Sequence, residues 1–80
     1  MSVRVRLFAG AAESIGRDEV HSEAGTVGDL TANLAAIGAP DTARVLQRCS
    51  ILIDGRRSNS PEDQVPDGSV VDVLPPFAGG

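Results

Sequence analysis

Residues 3–8 alternate apolar Val3, Val5 and Leu7 with Arg4, Arg6 and Phe8, the period of a strand that turns one face to a core. Phe8 shares the side of the two arginines, where it either covers a secondary apolar patch or stands free for a partner. Residues 10–16 read as a loop or short helical turn, and residues 18–23, with Val20 inward, as a second strand completing a hairpin with a long connection. The period then changes. Thr26 is placed to cap a helix, with Asp29 three residues on as a near capping box, and Val27, Leu30, Leu34 and Ile37 follow at the spacing of one buried helical stripe. Gly38 is expected to close this helix in the left-handed conformation, and Pro40 cannot extend it.

Asp41 stands where it would cap a second, short helical piece carrying Val45 and Leu46. Ile51, Leu52 and Ile53 form an apolar run of the kind found in a central strand, ended by an Asp54-Gly55 turn. Residues 56–59 are expected to pair back as a short fourth strand and residues 61–65 to form a tight turn. Asp67-Gly68 then launches a last strand over residues 69–74. The order β-β-α-β-β predicts an α+β domain over residues 1–74, a mixed four- to five-stranded sheet crossed by one main helix. Such an open sheet is a common interaction scaffold, so the pattern implies binding more than catalysis.

Composition narrows the function. A chain of 80 residues buries only about 60% of the surface its unfolded form exposes, which leaves little room for an enclosed active site and argues against a self-sufficient enzyme. One cysteine and one histidine supply neither an internal disulfide nor a metal-ligand cluster, so no metal site is expected. The formal charge of −4, the lack of Trp and Tyr, and only two Phe deny the phosphate-neutralising field and stacking platforms of a nucleic-acid binder. No apolar run approaches a membrane span, and the first dozen residues lack the charged and apolar regions of a secretory signal. A cytoplasmic protein with no membrane and no nucleic-acid partner is therefore expected.

The chemistry points to residues 75–80, Pro75-Pro76-Phe77-Ala78-Gly79-Gly80. Two prolines remove ladder donors and impose extended φ, so the sheet ends and the chain leaves it as a directed arm. Fully extended, the arm reaches about 20 Å, enough to enter a cleft on another protein. Gly79 and Gly80, without Cβ atoms, would let a terminal carboxylate thread a narrow tunnel. A carboxylate anion resists nucleophilic attack until it is given a better leaving group. The chain has no phosphate-binding Gly-rich loop and no lysine, so a separate ATP-using adenylating enzyme is implied.

Leu7-Phe8-Ala9 followed by Ala12-Glu13 and Gly16, Thr26-Val27 opening a helix, Asp67-Gly68 before the final strand, and Leu74-Pro75-Pro76 leading to Gly79-Gly80 together resemble the MoaD/ThiS family of ubiquitin-like sulfur carriers. The likeness spans essentially the whole chain and is greatest to the branch formed by the small subunits of molybdopterin synthase. It implies a β-grasp fold with a flexible diglycine tail. It also implies that an E1-like enzyme adenylates Gly80, that a sulfurtransferase converts it to a thiocarboxylate, and that the sulfur passes to a pterin precursor within a synthase large subunit, in a heterotetramer of two copies of each. No cofactor is held by the small subunit itself; ATP is used by the adenylating partner. Phe8, Leu74, Pro75, Pro76, Phe77 and Ala78 are the residues expected to meet these partners, with Phe8, Leu74 and Phe77 forming an apolar surface at the root of the arm. The Asp54-Gly55 turn, where many relatives carry Asn, and the bulky Phe77 depart from the pattern without touching the carboxylate chemistry.

Carriers for cysteine or thiamin synthesis share the diglycine. A ubiquitin-like modifier joined through Gly80 to lysines of other proteins, itself unable to carry chains for want of lysine, and a plain binding module are further readings. Cys49, beside Arg48 alone, is expected to be a structural thiol. His21 lacks a recognisable partner for general-base work, and Arg56-Arg57 form a small basic spot.

Overall fold

A computed structural model of the chain describes residues 2–75. Strand β1 (Val3–Leu7) is followed by helix α1 (Ala9–Ile15), strands β2 (Glu19–Ser22) and β3 (Gly25–Thr26), and helices α2 (Val27–Ile37) and α3 (Thr42–Gln47). Strands β4 (Ser50–Ile53), β5 (Arg56–Arg57), β6 (Gln64–Val65) and β7 (Val70–Leu74) complete it. Five strands form one sheet in the order β2-β1-β7-β4-β5, with β1 and β7 parallel and the other neighbours antiparallel. β3 and β6 pair as a separate two-stranded sheet. The expected mixed sheet with one main helix is present, and α1 and α3 pack beside α2.

The core lies where the alternation puts it. Val3, Val5 and Leu7 of β1, Val20 of β2, Ile51 of β4 and Val71 and Val73 of β7 turn to one face of the sheet. There they meet Ala11 and Ile15 of α1, Val27, Leu30 and Leu34 of α2 and Leu46 of α3. The α2 start carries the full capping box: Asp29 N–H donates to Thr26 Oγ1 at 3.1 Å, and Thr26 N–H donates to Asp29 Oδ2 at 3.3 Å.

Several sequence expectations are corrected. Ile37 has the right helical phase but is 60% exposed, because the last turn of α2 reaches the edge strand β2, beyond which no strand lies to cover it. Gly38 is extended, with φ −95° and ψ −176°. Its glycine answers a close approach: a Cβ there would overlap the side chain of Thr42, which is fully buried with its hydroxyl unpaired among the described residues. Asp41 precedes α3 without capping it; its carboxylate accepts from Ser14 Oγ at 2.8 Å and ties α3 to α1.

The middle of the sheet is β7, not the apolar run Ile51–Ile53, which sits one strand further out with only two-residue β5 beyond. Residues 10–15 belong to helix α1, which Gly16 closes with a left-handed φ of +83°. Residues 61–65, expected as a tight turn, end in β6, since Val27 and Gly28 N–H groups donate to the Asp63 and Pro61 carbonyls and draw the segment against β3. The fourth strand spans two residues rather than four.

Candidate functional site

β1 ends at Leu7, and β1 runs parallel to β7 with Leu7 opposite Val73. One step further along both strands are Phe8 and Leu74, so the two apolar residues expected at the root of the arm stand side by side at one end of the sheet. Phe8 is 41% exposed and Leu74 is half-buried. Phe8 leaves β1 extended, with φ −127° and ψ 147°, and Ala9 then takes a left-handed φ of +49°, which turns the chain directly into α1. That conformation costs a non-glycine residue about 1–2 kcal/mol. Pro75 follows Leu74 half-buried and outside the ladder. Pro76, Phe77, Ala78, Gly79 and Gly80, which carry the rest of the expected site, lie outside the described residues.

Phe8 and Leu74 belong to the face of the sheet that carries no helix. Arg6 and Asp72 are opposed across β1 and β7 on that face, and the guanidinium binds the carboxylate through two parallel bonds, Nη2 to Oδ2 being 2.9 Å. The hydrogen bond and charge of Asp72 push the Arg6 pKa up. Arg4 reaches Glu19 on β2 at 3.0 Å. Leu52, opposite Asp72, and Ser50, opposite Leu74, continue the face onto β4. An apolar end thus adjoins a band of fixed ion pairs, a surface suited to docking: the apolar side chains offer area, and the paired charges offer orientation.

The remaining candidates fall elsewhere. Cys49 is half-buried, its thiol donates to the Val45 carbonyl at 3.3 Å, and burial pushes its pKa up, the opposite of what a thiolate nucleophile needs. His21 Nε2 lies 4.0 Å from Glu19 Oε2, and the His21 side chain is exposed. Arg57 faces Leu52 across β4 and β5 and is exposed. Sequence reasoning missed the Asp63 carboxylate. It accepts from Ser58 Oγ (2.9 Å), Asn59 N–H (3.0 Å) and Ser60 N–H (3.2 Å), and these bonds, that from Ser58 foremost, hold its pKa down. The run Ser58-Asn59-Ser60 ahead of an acid was the available signal. Among the described residues no group of three metal-ligating side chains occurs, and no helix is long and apolar enough to cross a membrane.

Topology and tail root together define a ubiquitin-like β-grasp protein. The match to the ThiS family model over residues 5–80 places the chain in that family of sulfur carriers. A comparison with curated protein sequences finds no match. Among solved structures, the chain is similar to SAMP1 from Haloferax volcanii, with TM-score 0.81, 24% identity and 100% of both chains covered. It is also similar to a chain in the complex of subunits 1 and 2 of molybdopterin-converting factor from Helicobacter pylori 26695, with TM-score 0.72, 26% identity and 100% of both chains covered. A third likeness is to a chain of the Amycolatopsis orientalis BexX/CysO complex, with TM-score 0.80, 22% identity and coverage of 98% of this chain and 99% of that one.

Proposed function

We propose that the protein is the sulfur-donating small subunit of a molybdopterin synthase. In this reading the Gly80 carboxylate is adenylated by an E1-like enzyme and converted to a thiocarboxylate, and Gly79 gives it clearance in the partner's tunnel. The partner enzyme uses the ATP, a sulfurtransferase supplies the sulfur, and the large subunit binds the pterin, so the chain is not an enzyme alone. The observation that carries the reading is the placement of the tail root. β7 is the middle strand, held by β1 on one side and β4 on the other, so its end at Leu74 and Pro75 is a fixed point near the exposed Phe8. A rigid attachment point limits the entropy lost on docking. The similarity to a chain of the molybdopterin-converting factor complex, at 26% identity over its whole length, favours this acceptor.

The activation and transfer steps balance. A carboxylate oxygen attacks the α-phosphorus of ATP and pyrophosphate leaves; the terminal sulfur of a persulfide on the sulfurtransferase then displaces AMP to give an acyl disulfide, and a second thiol of the partner attacks the donor's sulfur, so that the S–S bond breaks, a partner disulfide forms and the thiocarboxylate leaves with the sulfur. Arg6, Asp72, Phe8 and Leu74 take no part in bond making; they hold the partner against the sheet while the arm is inside it.

The test is reconstitution. The thiocarboxylated chain, mixed with large subunit and pterin precursor, should yield molybdopterin and form a stable complex of two copies of each subunit; the carboxylate form should yield none. Removing Gly80, or appending one residue after it, should abolish transfer while the circular dichroism spectrum is unchanged. Phe8→Ala should weaken the complex by 2 kcal/mol or more if Phe8 anchors it, the order of magnitude typical of a hot spot. Sulfur passing only to an activated serine derivative would move the assignment to cysteine synthesis, and attachment to lysines without small-molecule sulfuration would make the chain a modifier.

A further inference from the structure

The dipeptide Asp-Gly occurs twice, at Asp54-Gly55 and Asp67-Gly68, and both pairs are exposed. Asp-Gly is the dipeptide most open to attack by a backbone nitrogen on the preceding side chain, because glycine puts no Cβ in the way. The two copies differ in which reacting group the fold restrains. At the second, the nucleophile itself is restrained: Gly68 N–H donates to the Ser2 carbonyl at 3.0 Å, extending the parallel pairing that sets Arg4 opposite Val70. At the first, Gly55 N–H has no acceptor among the described residues. There the electrophile is held by one exposed bond from Val70 N–H to Asp54 Oδ1 at 2.9 Å, and Asp54 N–H donates to the Val70 carbonyl at 2.9 Å, while the nucleophile is left free.

We propose that Asp54-Gly55 is a site of spontaneous aspartate isomerisation, whereas Asp67-Gly68 is kept inert by the pairing of β1 with β7. Gly55 nitrogen attacks Cγ of the protonated Asp54 carboxyl; the N–Cγ bond forms, the C–OH bond breaks, and water leaves with the amide proton. Water then adds to one of the two imide carbonyls. Opening at the Asp54 α-carbonyl leaves the chain running through Cγ, an isoaspartyl link, and opening at Cγ restores aspartate. One water leaves and one returns, so neither mass nor oxidation state changes. Releasing Asp54 takes a rotation of an exposed side chain, a picosecond-to-nanosecond event, whereas releasing Gly68 takes local opening of the sheet.

The lesion would fall on the β4–β5 hairpin turn, whose Asp54 is hydrogen-bonded to Val70 at the start of β7. Asp54 and Gly55 form a two-residue turn with φ +49° and +84°, the geometry that joins tightly twisted strands. An extra methylene there displaces Arg56 and Arg57 from their partners Ile53 and Leu52. The same lesion at Asp67-Gly68 would shift β7 itself and with it the root of the arm. The fold thus leaves the nucleophile free at the hairpin turn and restrains it at the turn that opens β7.

The chain is incubated at mildly acidic pH, folded and in concentrated guanidinium, and isoaspartate is assigned to each site by electron-transfer fragmentation and by enzymic methylation. The folded chain should convert at Asp54 about tenfold or more faster than at Asp67, and the unfolded chain at comparable rates, since only local opening separates the sites. Val70→Pro removes the donor that restrains Asp54 at the first residue of a strand, where proline is tolerated; it should raise conversion at Asp54 alone. A chain lacking residues 1–2 should raise it at Asp67 alone, which supplies an independent check if the proline variant does not fold. Equal rates at the two sites in the folded chain, or no folded-state conversion at Asp54 while the unfolded chain converts at both, would overturn the proposal.

Discussion

The two faces of the five-stranded sheet are built from the same strands and obey different rules. On the inner face, Val3, Val5, Leu7, Val71 and Val73 are at most 3% exposed and pack on three helices. On the other face, the residues between them, Arg4, Arg6 and Asp72, are joined in exposed or half-exposed ion pairs, with Phe8 and Leu74 at one end. Burial stabilises the first face by removing apolar area from water. The second face contributes little to folding, since exposed ion pairs are worth little, so substitutions there can be read for binding with small losses of stability. The difference teaches where to look for function: on the face the fold does not need.

The largest effect expected from this contrast is Leu34→Ala. Leu34 is 1% exposed in the core, and its truncation should cost about 3 kcal/mol by leaving a cavity under the sheet. Phe8→Ala should cost about 1 kcal/mol, well below the loss at Leu34, since Phe8 is 41% exposed outside the core. Chemical denaturation of both variants checks the pair, and a Phe8→Ala loss as large as that of Leu34→Ala would break the distinction between the faces.

Next in size is Gly38→Ala, expected to cost about 1–3 kcal/mol through overpacking against Thr42 although the φ of Gly38 suits any residue. Combining it with Thr42→Ala should recover part of that loss in a double-mutant cycle. Purely additive losses would show that the close approach is not the reason for glycine. Smaller still is Arg6→Ala. The Arg6 side chain is 49% exposed and that of Asp72 17%, so the pair should contribute under about 1 kcal/mol and less at high salt, while partner binding falls more steeply.

The smallest expected effect is a change in pH dependence. Asp63 is held below its ordinary pKa in the fold by Ser58 and the Asn59 and Ser60 amides. A depressed folded pKa contributes stability above the unfolded value of 3.8 that is lost as pH falls through the folded value. Asp63→Asn should flatten the acid limb of the stability curve and leave the neutral region with the same slope. An unchanged acid limb in urea titrations from neutral to strongly acidic pH would show that these bonds do not discriminate the charged form.

Local chemistry in the sequence determined much of this. Alternation through Val3, Val5 and Leu7 settles which face of β1 is buried, Thr26 and Asp29 settle where α2 starts, and Asp54-Gly55 settles the β4–β5 turn, because each is a decision between neighbours in the chain. The prolines and glycines at residues 75–80, on which the proposed role rests, are read from residue type in the same way. Only tertiary structure decided the rest. That β7 is the middle strand, that Phe8 stands beside Leu74, that Arg6 grips Asp72, and that Gly38 makes room for Thr42 all depend on which distant segments meet. The parallel pairing of β1 with β7 joins segments some 66 residues apart. No periodicity encodes such a meeting; it follows from burying one shared core under three helices.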